Sequence, residues 1–176
     1  KLGQPMINLS LERDWGVLDI YALLGFRERT FSGEKGRLRA PFLIDKDSAI
    51  YESGAENLRT DFAFRWSQSY RDLELALSHF SGTSREPEFI NESINLKRPF
   101  YGIIDQTGLE ALYIVGGLAL KLEAISRSGQ GDRFSAATAG FEYTQVGILS
   151  SRLDLGWIVE FNYDDRYEES PLALGT

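Results

Sequence analysis

His79-Phe80-Ser81 is the sharpest chemical pattern in this chain. Residues two apart on a strand point to the same side, so His79 and Ser81 would share a face. A carboxylate behind the imidazole would orient His79 as base and Ser81 as nucleophile. Glu86, Glu88 and Glu92 are the acids in reach, and His79, Ser81 and Glu92 form one such set. The plain alternative is a rim histidine beside a loop serine, because a triad is a matter of geometry rather than spacing.

A second group of charges recurs at every other position. It comprises Asp19, Arg27, Asp61, Arg65, Glu74, Glu110, Lys121, Glu123, Arg127, Glu142, Asp154 and Glu160. Such a row can line an aqueous pore and bias the ions that cross it. It can equally be a network of ion pairs filling a narrow interior.

Other chemistries are poorly supplied. The chain has no cysteine and one histidine, which excludes thiol catalysis and disulfides and leaves little for a metal site. The net charge of −7 speaks against a general nucleic-acid role. "SGQGDRF" lacks the Lys-Ser/Thr and the helix of a phosphate loop. Asp45-Lys46-Asp47 and Asp164-Asp165 could meet Ca²⁺ or bridge lipopolysaccharide through it, but solvated loop charge explains them as well. No cofactor, metal or catalytic residue is assigned beyond the His79 set.

The elements that would hold these residues alternate with a period of two. Eight strands are expected, at 5–13, 17–28, 58–68, 71–81, 101–115, 118–127, 134–148 and 151–164. Most reach about ten residues, the length with which a tilted strand crosses a bilayer. The apolar parity holds Leu18, Ile20, Phe62, Phe64, Trp66, Leu73, Leu75, Leu77, Leu118, Leu120, Leu122, Phe141, Leu153, Leu155, Trp157, Val159 and Phe161. His79 and Ser81 share it. Short connections at 14–16, 68–70, 116–117 and 149–150 alternate with longer ones at 29–57, 82–100 and 128–133. Trp15, Trp66, Tyr113 and Tyr143 fall near the short turns, and Phe26, Phe80, Phe161 and Tyr163 near the long loops.

Composition fits a soluble globule and a membrane barrel alike, so pattern decides. Backbone amides in hydrocarbon must pair within the protein, so strands that span a bilayer close into a barrel. Short turns at one end, long loops at the other and two aromatic girdles are the marks of an outer-membrane barrel. The expected fold is a single all-β domain, 1–176, an antiparallel up-and-down transmembrane β-barrel of eight strands, or an arc of a larger one. A soluble lipocalin-like barrel that binds lipid is the competing form, with the apolar face as its core.

"KLGQPMINLSLERDWG", "GFRERTFSGEKGRLR", "YESGAENLRTDFAFRWS", "LSHFSGTSREPEF", "IIDQTGLEALY", "LKLEAISRSGQGDRFSAATAGFEYT" and "LDLGWIVEFNYDDR" together resemble an uncharacterised, porin-like group of Gram-negative outer-membrane β-barrel proteins. The likeness spans nearly the whole chain. It implies an outer-membrane location, outer-membrane lipid and lipopolysaccharide as surroundings, and further strands before and after this region. It carries no catalytic residues. The ends agree with truncation, since no terminal aromatic strand is present. Separately, the His-x-Ser pair is similar to that of outer-membrane lipid A deacylases, which makes a hydrolase the enzymatic alternative to a passive channel or structural envelope barrel. Small solutes or ions are the expected traffic of a channel.

Overall fold

The computed structural model describes residues 3–33, 35–37 and 40–166. In chain order its strands are β1 (Met6–Arg13), β2 (Gly16–Leu24), β3 (Leu43–Ile44), β4 (Ile50–Tyr51), β5 (Thr60–Tyr70) and β6 (Leu73–Thr83). They continue with β7 (Glu88–Ser93), β8 (Leu96–Tyr101), β9 (Ile103–Val115), β10 (Leu118–Ser128), β11 (Phe134–Gln145) and β12 (Leu155–Asp164). Among the described residues there is no α-helix, only three single 3₁₀ turns.

Eight strands make one antiparallel sheet in the order β1-β2-β5-β6-β9-β10-β11-β12. It is a meander, since each strand lies beside the next of the eight in sequence. β1 and β12 are its edges, and the sheet is not closed into a barrel. Tight turns follow from local chemistry. Gly116 and Gly117 take φ of +54° and +86°, the pair of positive angles that a primed hairpin turn needs.

The second sheet grows from the long connections. β8 pairs antiparallel with β7, and β3 and β4 run parallel to β8 at Leu43↔Leu96, Ile44↔Lys97, Ile50↔Phe100 and Tyr51↔Tyr101. This small sheet is a cap on the long-loop end of the meander. Phe26, Tyr51 and Tyr101 cluster at its base, with Phe26 edge-on to both tyrosine rings and the two tyrosines stacked 5.4 Å apart. The Arg29 amide donates to the Tyr101 hydroxyl at 3.0 Å, and the Ile103 amide donates to Glu52 Oε2 at 2.6 Å. Burial pushes the Tyr51 and Tyr101 hydroxyls above the usual tyrosine range, and the Glu28 carboxylate bonded to Tyr51 raises that one further.

All eight expected strands are present, with shifted ends. The second stops at Leu24 rather than 28, and the seventh at Gln145 rather than 148. The eighth begins at Leu155 rather than 151, and the fifth at Ile103 rather than 101, with Tyr101 belonging to β8 of the cap. The expected short turn at 149–150 is a longer connection, 146–154, containing a 3₁₀ turn. It exceeds the 129–133 connection expected to be the longer of the two, so turn lengths do not alternate strictly. The alternation also allows closure around eight strands, and the described residues do not close. The alternation ends at Asp164, which leaves the chain from Asp165 onward as an expected unpaired tail, and most of it lies outside the described residues. Asp165 is nevertheless paired, its backbone amide donating to the Ser135 carbonyl at 3.2 Å.

Candidate functional site

Residues opposite one another in antiparallel strands share a face, so the register assigns both faces without ambiguity. One cross-sheet row is Asp19↔Arg65, Arg65↔Ser78, Ser78↔Gly108, Gly108↔Ile125 and Ile125↔Ala136. The same parity holds Glu74, Glu110, Lys121, Glu123, Arg127, Glu142 and Glu160, which are the charges the alternation grouped together. Arg65 Nη2 donates to Glu110 Oε2 at 2.8 Å, and Lys121 Nζ to Glu142 Oε1 at 2.6 Å. Arg127 Nε donates to Gln106 Oε1 at 2.8 Å, while its Nη1 reaches Glu86 of the cap connection at 3.2 Å.

Two hollows of about 480 and 760 Å³ open on this charged face. The first is lined by Arg65, Glu74, Glu110, Lys121 and Glu123. Glu74 and Glu123 have no cationic partner within salt-bridge distance among the described residues, so the hollow is acidic on balance. Its ion pairs are half-exposed and contribute at most about 1 kcal/mol each. They set charge rather than stability.

Three of the grouped charges stand elsewhere. Arg27 follows the end of β2 and lies in the connection, because the strand breaks at Gly25, whose φ is +70°. Asp154 precedes β12 and accepts from the Gly147 amide at 3.0 Å, as a turn residue does. Asp61 has the parity of the charged face but is wholly buried. It is the hub of the cap: Arg59 Nε donates at 3.2 Å, Arg85 Nη1 at 2.9 Å and the Thr83 amide at 3.0 Å. Gly82 makes room for it, since a Cβ there would fall 2.3 Å from the Asp61 Cγ. The Arg85 guanidinium lies over both Phe26 and Phe80. These two rings therefore pack on the side of the charged face, not in the outer girdle that nearness to the loops suggests. Phe80 has the parity opposite to His79, and Phe26 turns under Arg85 after Gly25.

The other face is apolar and uncovered. Ile20, Phe62, Phe64, Leu77, Leu120, Leu122, Leu155, Trp157, Val159 and Phe161 are all exposed, with Trp157 at 50% and Phe161 at 67%. Leu18, Trp66, Leu73, Leu75, Leu118 and Phe141 share the face and are partly covered by their neighbours. Leu153 is the exception, standing in the 146–154 connection. Near the tight turns Trp66 donates its indole N–H to the Trp15 carbonyl at 3.0 Å, and Tyr113, Tyr143 and Trp157 continue the aromatic level.

Towards the cap the apolar face changes character over part of its width. The row through Leu9, Ile20 and Phe64 continues as His79, Thr107, Ser126 and Ser135. The next row, through Ile7, Ala22 and Phe62, continues as Ser81, Asp105 and Ser128. A polar notch thus interrupts the apolar surface over β6, β9, β10 and β11. His79 stacks on Phe64, its Nδ1 lies 3.0 Å from Thr107 Oγ1, and its Nε2 lies 3.8 Å from Asp105. Arg133 reaches down to Ser126 and Ser128, at 3.4 and 3.2 Å. His79 and Ser81 share a face as the spacing required. The carboxylate beside them is Asp105, whereas Glu92 sits on β7 of the cap and Glu86 is bound to Arg127. Only the register could have named Asp105, which lies far along the chain from His79 and directly opposite Ser81.

No family model matches the chain, and no curated protein or solved structure matches it either.

Proposed function

We propose that this chain is the wall, or an arc of the wall, of a β-barrel in a Gram-negative outer membrane, acting as a porin-like passive channel with a charge-lined lumen. The observation that carries the reading is the distribution of the two faces. A water-soluble sheet turns its apolar face to a core, and burying a Leu or Phe contributes about 1.5–3 kcal/mol. Here that gain is forgone across the whole meander, while the hollows and ion pairs lie on the opposite face. Hydrocarbon on the outside and water on the inside make this arrangement favourable. In such a setting the edges β1 and β12 must also be paired, with each other or with further strands.

The acidic balance of the first hollow gives the channel a preference for cations. The full-length protein in planar bilayers is expected to conduct, with cations favoured. Glu74→Lys combined with Glu123→Lys should reverse the preference. Absence of conductance removes the channel role. A chain that is monomeric and soluble without detergent would favour the lipocalin-like alternative.

One observation favours a second reading, an acyl-ester hydrolase on the outer wall of the same barrel. His79 stands between Thr107 and Asp105 on the outward face, with Ser81 one pair away. Ser81→Ala should then abolish release of fatty acid from lipid A. Unchanged lipid A in cells overproducing the wild-type protein removes this reading.

A further inference from the structure

We propose that the polar notch holds the phosphorylated headgroup of a glycolipid in the leaflet at the long-loop end. This inference rests on the membrane reading and not on hydrolysis.

Placement is the first argument. Eight residues separate Leu73, at the tight-turn level, from Ser81. On a strand tilted about 45°, that span climbs roughly 19 Å of an apolar band about 25 Å tall. Charged groups on a lipid-facing wall cost about 2–4 kcal/mol at mid-depth and about 0–1 near the interface. The notch therefore lies where headgroups begin. Its confinement is the second argument. On β2 and β5 the residues of the same two rows stay apolar, so the interface does not by itself dictate the change.

The chemistry of the notch selects the occupant. Arg133 makes no ion pair among the described residues and is exposed. Two serine hydroxyls steady its guanidinium, which leaves further N–H donors for an anion. A planar guanidinium beside hydroxyl donors suits a phosphate. Asp165, just past the end of β12, is occupied by the Ser135 amide at 2.8 and 2.9 Å. Further along, His79, Asp105 and Ser81 offer mixed donors and acceptors, which suit sugar hydroxyls. Phe62 and Phe64 flank the notch with exposed rings, 57% and 39%, against which acyl chains can lie. Phosphate, sugar and acyl chain are thus met in one continuous strip.

The test uses the full chain in lipid nanodiscs, with insertion checked by quenching of its tryptophans by brominated lipid. Binding of fluorescent lipopolysaccharide is measured for wild type, Arg133→Glu and Ser128→Ala, with Glu123→Gln on the inward face as control. Wild type and the control should bind alike. Arg133→Glu should weaken binding roughly ten-fold or more, as loss of a charge-assisted contact requires. Dephosphorylated lipopolysaccharide should bind the wild type as weakly as Arg133→Glu binds the intact lipid. Equal binding by inserted wild type and Arg133→Glu overturns the proposal alone, as does indifference to the lipid phosphates. Full competition by inorganic phosphate at equal concentration makes the site one for free anions and overturns the lipid assignment. A chain that does not insert overturns both this inference and the membrane reading.

Discussion

The tight-turn half and the cap half of the large sheet obey different rules. Below, the side chains alternate, the outward rows are apolar except for Gln68 and Gln145 beside the turns, and the inward rows carry exposed ion pairs. Above, the chain has a buried core of Phe26, Tyr101, Ile104 and Phe134, a buried aspartate hub, a second sheet and a polar notch. The lower half has almost no core of its own. Its order comes from the backbone ladder and, on the proposed reading, from lipid around it. The upper half is organised as a water-exposed protein is, by packing and by satisfied buried polar groups.

Breaking the upper half should therefore cost most at its hub. Asp61→Ala removes the acceptor shared by Arg59, Arg85 and the Thr83 amide, and is expected to destabilise the protein by about 3 kcal/mol. Denaturant unfolding in detergent measures the loss, and proteolysis should cut first within 84–102. The lower half should be most sensitive on its outward side. On the proposed membrane reading, Leu77→Arg is expected to cost about 2–4 kcal/mol in a bilayer, the charge then meeting mid-depth hydrocarbon. Ser78→Arg, one residue away and inward, should cost under about 1 kcal/mol, as for other water-facing charge changes. Parallel unfolding titrations of the two variants sharpen the contrast between faces.

A smaller effect concerns pH. The Tyr51 and Tyr101 hydroxyls are raised above the ordinary value of 10.0 by burial. A raised value in the folded state gives stability that is complete below the unfolded value and lost as pH rises through the folded one. The cap should thus hold at neutral pH and loosen above about pH 10. Protease sensitivity of 29–57 would report it, and Tyr51→Phe should blunt the dependence.

The lower half was legible in sequence because period two is local. Leu73, Leu75 and Leu77 declare their face with no knowledge of a partner strand, and the register then placed Trp66 and Leu109 beside Leu77. The upper half was not legible, because its order is long-range. β3 and β4 are two residues each and exist only against β8, which itself contains Pro99 and reads as loop. Phe26 and Phe80 were placed by nearness to loops, yet Arg85 draws both inward. Asp105 became a neighbour of His79 only through the pairing of β6 with β9. Asp154 and Leu153 were assigned to a strand because their alternation continues into a turn.

The central claim is that the uncovered apolar face meets hydrocarbon. The chain has no cysteine, so single cysteines can be placed freely. Spin labels at each position from 73 to 78, with the full chain in lipid bilayers, report collisions with oxygen and with a water-soluble nickel complex. Labels at 73, 75 and 77 should favour oxygen and those at 74, 76 and 78 the nickel complex, in strict alternation. Nickel access at all six positions, or shielding of 73, 75 and 77 from both reagents, would contradict it.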